Sequence, residues 1–169
     1  MTAYVALLRG VNLTGSTTLR IADLKAIAEE LGFEQVRTYI ASGNLLFTSA
    51  KGEAAIKTAL EAAVKRHMAR DVGVMVRTAK ELAHVVEANP FAGEPGNKVV
   101  AIFFDEAPPA GAIKAATNIA DERLALGSRE IYVHYPSGQG RSKLDLRSRA
   151  AGTARNMNTV AKLAELARE

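Results

Sequence analysis

The chain of 169 residues has no cysteine. That excludes disulfide staples, thiolate metal sites and thiol nucleophiles, and it fits a reducing cytoplasm. Aromatic residues make up only 5% of the chain. Few rings are therefore on hand to stack against bases, and the strand segments lack the aromatic pattern of RNA-recognition sheets. Long apolar runs are also missing: none approaches the ~20 residues of a membrane span. The opening "MTAYVALLRGVN" has a short apolar run without a basic flank before it, which reads as a strand and not as a leader peptide. A cytoplasmic protein without a membrane partner is expected. The histidines, His67, His84 and His134, are scattered, and no pair has metal-ligand spacing, so no metal and no cofactor are expected. His67 lies on an apolar helix face, His84 on a helix surface and His134 in a strand. Neither a Walker loop nor a dinucleotide fingerprint is present.

What is present is a globular composition, 48% hydrophobic and 24% charged. A chain of this length buries roughly 70% of the surface it exposes when unfolded, enough for a core without staples. The net charge is +4 but uneven. Residues 1–135 hold fifteen basic and fifteen acidic side chains, whereas residues 136–169 hold seven basic ones (Arg141, Lys143, Arg147, Arg149, Arg155, Lys162, Arg168) against Asp145, Glu165 and Glu169. The whole excess lies in the last fifth of the chain. This points either to an anionic partner or to a solvated basic helix surface.

Periodicity divides the chain into alternating elements. Ala3–Leu8 reads as a buried strand, followed by the loop "LTGSTT". Ile21, Leu24, Ile27, Ala28 and Leu31 recur at helical spacing, with Gly32 as the C-terminal cap. "EQVRTYI" and "NLLFTS" form a hairpin about Ser42-Gly43, residues 53–69 a helix and "VGVMVRT" a strand. Residues 79–88 form a short helix that ends before Asn89-Pro90. "KVVAIFF" is a buried strand, residues 110–118 a weak helix, and "ERLALG" with "EIYVHY" a second hairpin. Two helices, 141–150 and 156–168, close the chain. The expected fold class is α+β: a ferredoxin-like βαββαβ first half, and a partial βαββα echo that lacks or borrows its last strand. The sheets are antiparallel with helices on one face. The chain is expected to be one compact unit with subdomains at 1–78 and 79–169.

"YVALLRGVNLTG", then a helix and "GFEQVRTYIASGNLLF", resembles the opening of the bacterial domain-of-unknown-function family numbered 1697. "GRSKL" and "TARNMNTVAKL" resemble its closing segment. The resemblance implies a cytosolic α+β protein with ferredoxin-like halves and no established activity. Its family-like positions are Arg9, Gly10, Asn12, Ser42, Gly43, Asn44, Ser142, Lys143, Thr153, Arg155, Asn156, Asn158 and Thr159. Two departures stand out. Thr14-Gly15-Ser16 lacks the family's basic residue, which weakens a phosphate reading of that loop. Met157 replaces the family's tryptophan, which keeps an apolar role and removes a stacking one.

The candidate ligand-binding residues are Arg9, Asn12, Ser42, Asn44, Lys143, Arg155 and Asn156. Arg9 and Asn12 follow a buried strand, where binding loops commonly form; a carboxylate partner for Arg9 and an Asx turn at Asn12 explain them equally well. Ser42 and Asn44 flank a turn that accounts for both without function. On a helix, Lys143 and Arg147 would be four apart and repel by roughly 0.2–0.5 kcal/mol, which a phosphate would relieve. The backbone N–H groups of Gly138 and Gly140 could face the same anion. Asn156 or Thr153 suits a helix N-cap, but Arg155 is then a cation beside a helix N-terminus, where the dipole opposes it. No catalytic residue is identified. Three functions remain open: binding of a phosphate-bearing ligand, nucleotide or nucleic acid through the basic end; an enzyme that polarises an anionic substrate with arginine and asparagine; and a homodimer formed through an exposed sheet edge.

Overall fold

A computed structural model describes residues 1–11 and 19–168. Asn12 and the Thr14-Gly15-Ser16 loop lie outside the described residues. The described chain divides into two units: Met1–Leu82 with Leu163–Glu169, and Ala83–Lys162.

The first unit contains β1 (Thr2–Leu8), α1 (Ile21–Glu30), β2 (Glu34–Thr38), β3 (Asn44–Ser49), α2 (Glu53–Met68) and β4 (Val74–Thr78). The sheet order is β2-β3-β1-β4, and every pairing is antiparallel. Alternation sends Tyr4, Ala6 and Leu8 of β1, Leu45 and Phe47 of β3, and Val74 and Val76 of β4 to one face. There they form one buried cluster with Leu24 and Ala28 of α1 and Ile56, Leu60 and Val64 of α2. α1 ends as its sequence proposes: Gly32 N–H donates to Glu29 O at 3.0 Å and Phe33 N–H to Ala28 O at 3.2 Å. These two bonds occupy carbonyls that the helix end leaves open. The other face of the sheet carries Val5, Leu7, Leu46, Met75 and Arg77, which are also buried. Arg37 Nη2 donates to Leu166 O at 2.8 Å and ties the C-terminal turns into this unit.

α3 (Ala79–Glu87) leads out of the first unit, and the division between units falls inside it. The second unit then builds β5 (Val99–Phe103), β6 (Arg123–Leu126), β7 (Glu130–His134) and β8 (Thr153–Asn156), followed by α4 (Met157–Ala167). Its sheet order is β6-β7-β5-β8, again antiparallel throughout. Strand for strand this is the order of the first sheet. The fold is thus α+β, with two antiparallel four-stranded sheets and four α-helices among the described residues. None of these helices is long and apolar enough to cross a membrane.

Three expectations for the second unit need correction. Residues 110–118 are turns and not a helix. Their backbone bonds mix three-residue spans (Ala112 to Pro109, Ala116 to Ile113) with one four-residue span (Ala115 to Gly111), and Asn118 adopts φ +58°. Thr117 and Asp145 exchange two backbone hydrogen bonds at 2.9 Å each, which takes the polar groups a continued helix would use. Residues 141–150 are likewise not an α-helix. From Lys143 to Leu146 polar and apolar residues alternate, Leu144 and Leu146 pack into the core, and the coiled parts are two 3₁₀ turns, one ending at Arg141 and one over Arg147–Ala151. The unit also has its own last strand, β8, hydrogen-bonded to β5. Irregular segments around Ala112 and Leu146 therefore cover the face formed by Val100, Ile102, Ile131 and Val133.

Two predictions follow from this packing. A Cβ at Gly152 would lie 2.8 Å from Ile102 Cγ2, Phe103 O and Phe104 Cε1, so Gly152→Ala should lower the unfolding free energy by about 1–3 kcal/mol, as read by urea titration. Tyr132 is buried, donates its hydroxyl to Val85 O at 2.6 Å and has its pKa pushed up to about 12, first by desolvation and then by Glu130. Its neutral form is therefore favoured in the fold. That stabilisation is complete below the unfolded value near 10 and is lost as pH climbs through 12. Tyr132→Phe should cost roughly 1–3 kcal/mol at neutral pH, yet lose less further stability between pH 10 and 12, as read by denaturant unfolding along an alkaline series.

Candidate functional site

In the first unit, the candidates around the β2–β3 turn are spent on the turn. Asn44 is fully buried, and its Nδ2 donates to Tyr39 O and to Ser42 Oγ, both at 2.9 Å. Tyr39 N–H returns a bond to Asn44 O at 3.2 Å, and Leu8 N–H bonds Gly43 O at 2.9 Å. Gly43 has φ +84°, and a Cβ there would fall 3.1 Å from Leu8 Cβ, so only glycine lets the turn lie against β1. Arg9 sits just past β1 with its side chain exposed, and its backbone N–H is held by Gly73 O at 2.9 Å.

Arg155 and Asn156 belong to the second unit. Arg155 stands directly before the cap of α4, but it is also a strand residue: it lies in β8 opposite Ala101 and is 7% exposed. Its Nη1 donates to Thr153 Oγ1 at 2.7 Å and to Ala154 O at 2.9 Å. Desolvation lowers its pKa to about 10. Asn156 caps α4 as expected, accepting from Thr159 N–H at 2.9 Å. The first unit repeats this arrangement. Arg77, 1% exposed and opposite Val5, is the penultimate residue of β4, before Thr78. Thr78 and Glu81 then form a reciprocal cap, Glu81 N–H to Thr78 Oγ1 at 3.0 Å and Thr78 N–H to Glu81 Oε1 at 2.8 Å. In both units the last strand delivers a buried arginine, then a capping residue, then a helix.

Lys143 is placed differently. It lines a cleft of about 610 Å³ in the second unit, together with Arg141, Ser142, Asp121, Glu122, Ser137 and Tyr135. The Thr117–Asp145 backbone pairing draws the 118–122 and 141–143 segments together. Within the cleft the carboxylates are already engaged. Glu122 accepts from Ala120 N–H at 3.0 Å and from Ser142 Oγ at 3.1 Å, and Asp121 accepts from Ser137 Oγ. The Gly138 N–H, which the sequence offers to an anion, donates to Tyr135 O at 2.9 Å. Burial raises the pKa of Tyr135, with Arg149 acting against the shift and Glu122 adding to it. Lys143 and Arg141 are exposed, and their side chains make no hydrogen bond or ion pair among the described residues.

A cluster that the sequence reading missed surrounds His134, which is buried at the end of β7. Arg123 Nη2 lies 3.0 Å from His134 Nδ1 and 3.0 Å from Glu94 Oε2, with its guanidinium 5.0 Å above the Phe91 ring. A guanidinium only donates, so Nδ1 accepts and the ring proton sits on Nε2, 3.7 Å from Glu94 Oε2. The available signal was the pairing of Arg123 with His134 across the β6–β7 hairpin. The other partners come from the "FAGEPGN" loop, which no periodicity places. Every member has a partner within the cluster, which fastens that loop to the sheet.

A direct test separates the two arginine environments. Arg155→Ala removes a large buried side chain and should cost at least about 2 kcal/mol of stability in thermal or urea unfolding. Arg141→Ala should stay within about 0.5 kcal/mol of the wild type.

No curated protein matches the chain. Among solved structures, the conserved bacterial protein SP0830 from Streptococcus pneumoniae aligns with a TM-score of 0.84 and 24% identity, covering 100% of this chain and 99% of that one. At that identity the likeness is one of fold. A family model matches residues 1–132, a span that includes "LRGVN" and "ASGNLLF" and stops before "GRSKL" and "TARNMNTV". By that match the chain belongs to the family described as a protein of unknown function, DUF1697.

Proposed function

We propose that this protein binds a small phosphate-bearing ligand in the cleft of its second unit, with Arg141 and Lys143 as the anion contacts. One observation carries the reading: two cations without polar partners among the described residues line a cleft whose carboxylates are already hydrogen-bonded. The volume of about 610 Å³ suits a small molecule. A continuous nucleic-acid backbone fits less well, because its phosphates would pass Asp121 and Glu122. The strand order β2-β3-β1-β4, with α1 and α2 as crossovers, supports reading the first unit as a ferredoxin-like βαββαβ motif. The second then reads as a variant whose crossovers are irregular.

Calorimetric titration with inorganic phosphate and simple phosphate esters tests the reading. Each charge-assisted contact is worth about 1.5–3 kcal/mol, so Arg141→Ala and Lys143→Ala should each weaken binding about tenfold or more, and the pair together about a hundredfold. The melting temperature of the free protein should not change. Wild-type affinity should also fall as salt rises. Equal binding by the double variant and the wild type would remove the cleft from consideration.

A further inference from the structure

The same cleft says more about its occupant, provided that it is a phosphate site. We infer that the ligand carries hydroxyl groups beside its phosphate, as a sugar phosphate does, and that Asp121 is a hydroxyl acceptor. A site built only for an anion would not line itself with two carboxylates. Asp121 and Glu122 would repel a bare phosphate and waste much of what Arg141 and Lys143 supply. The carboxylates are nevertheless held in place. Ser137 fixes one oxygen of Asp121 by donating to Oδ2, and Ser142 and Ala120 N–H fix the two oxygens of Glu122. An ionised carboxylate offers about four acceptor positions, so Asp121 keeps Oδ1 and further capacity for a ligand that donates. Asp121 is exposed in the cleft, whereas Glu122 is 6% exposed and committed to its two partners.

The ligand therefore needs acceptors and negative charge for Arg141 and Lys143, and hydrogen-bond donors for Asp121. Hydroxyls and an ammonium group both donate. An ammonium would enter beside two unpaired cations, whereas a neutral hydroxyl meets no such repulsion. Ile119, which also lines the cleft and is 48% exposed, offers an apolar surface for the C–H face of a sugar ring. These features agree on a polyhydroxylated phosphate monoester.

The experiment compares four probes by calorimetry on the wild type and on Asp121→Asn: inorganic phosphate, methyl phosphate, ribose 5-phosphate and phosphoethanolamine. Ribose 5-phosphate should bind the wild type about tenfold more tightly than methyl phosphate, the worth of one hydrogen bond to a charged group. Asp121→Asn should erase most of that advantage while leaving methyl phosphate bound at least as well. Asp121→Ala, which cannot accept at all, should behave the same way. Equal binding of methyl phosphate and ribose 5-phosphate to the wild type overturns the hydroxyl assignment and leaves the phosphate site standing. Tightest binding of phosphoethanolamine overturns it as well, in favour of an ammonium. Binding by none of the four removes the phosphate site and this inference with it.

Discussion

Each sheet ends by placing a guanidinium where there is little water. Moving such an ion out of water costs several kcal/mol even after the protein relaxes, and the drop in the Arg155 pKa shows the direction of that cost. Part of it is met locally. Arg155 turns back on its own strand to Thr153 and Ala154, and Arg77 to Val76 O at 3.1 Å. In both strands the next residue changes role and caps a helix through its side chain. Strand, charge and helix start are thus compressed into two residues, and α3 and α4 take their starting points from it.

The two sheets share strand order but not the means of connecting strands. In the first unit the crossovers α1 and α2 seal one face with long apolar side chains. In the second, the same face is sealed by Ala112, Leu144 and Leu146 from segments without a continuous helical hydrogen-bond ladder. Irregular backbone has to find hydrogen-bond partners elsewhere. It does so in the reciprocal Thr117–Asp145 bonds, in the bond from Ala120 N–H to Glu122 Oε1 and in that from Leu144 N–H to Ser142 Oγ. A helical crossover would have satisfied itself and left the surface smooth. The cleft exists because this crossover does not.

The first unit was legible in the sequence almost element by element, since its helices and strands carry clean apolar periods. β3 starts and stops where "NLLFTS" does. The second unit was legible in β5, in the β6–β7 hairpin and in α4 with its Asn156 cap, and misread at 110–118, 141–150 and β8, for physical reasons. The 110–118 stretch is rich in alanine, which favours a helix, but has no apolar stripe to hold one. "SKLDL" is a period-two pattern too short to outweigh the basic residues around it. β8 reads "TARN", a strand whose buried residues are a threonine and an arginine. Hydrophobic alternation therefore has nothing to detect, and the residues before α4 did not read as a strand. Lys143 was visible as a candidate because charge is visible in sequence. Asp121 and Glu122 were not, because pairing between distant backbones brings them to it.

The last turns of α4 count with the first unit, held there by the bond from Arg37 to Leu166 O. The unit that comes first in the sequence is thus finished by a part made more than a hundred residues later. During synthesis β1 to β4 can pair and collapse onto α1 and α2, but this closing contact must wait until the whole second unit has been made. The second unit, by contrast, is continuous in sequence. The order in which the chain is made and the order in which its units become complete are reversed.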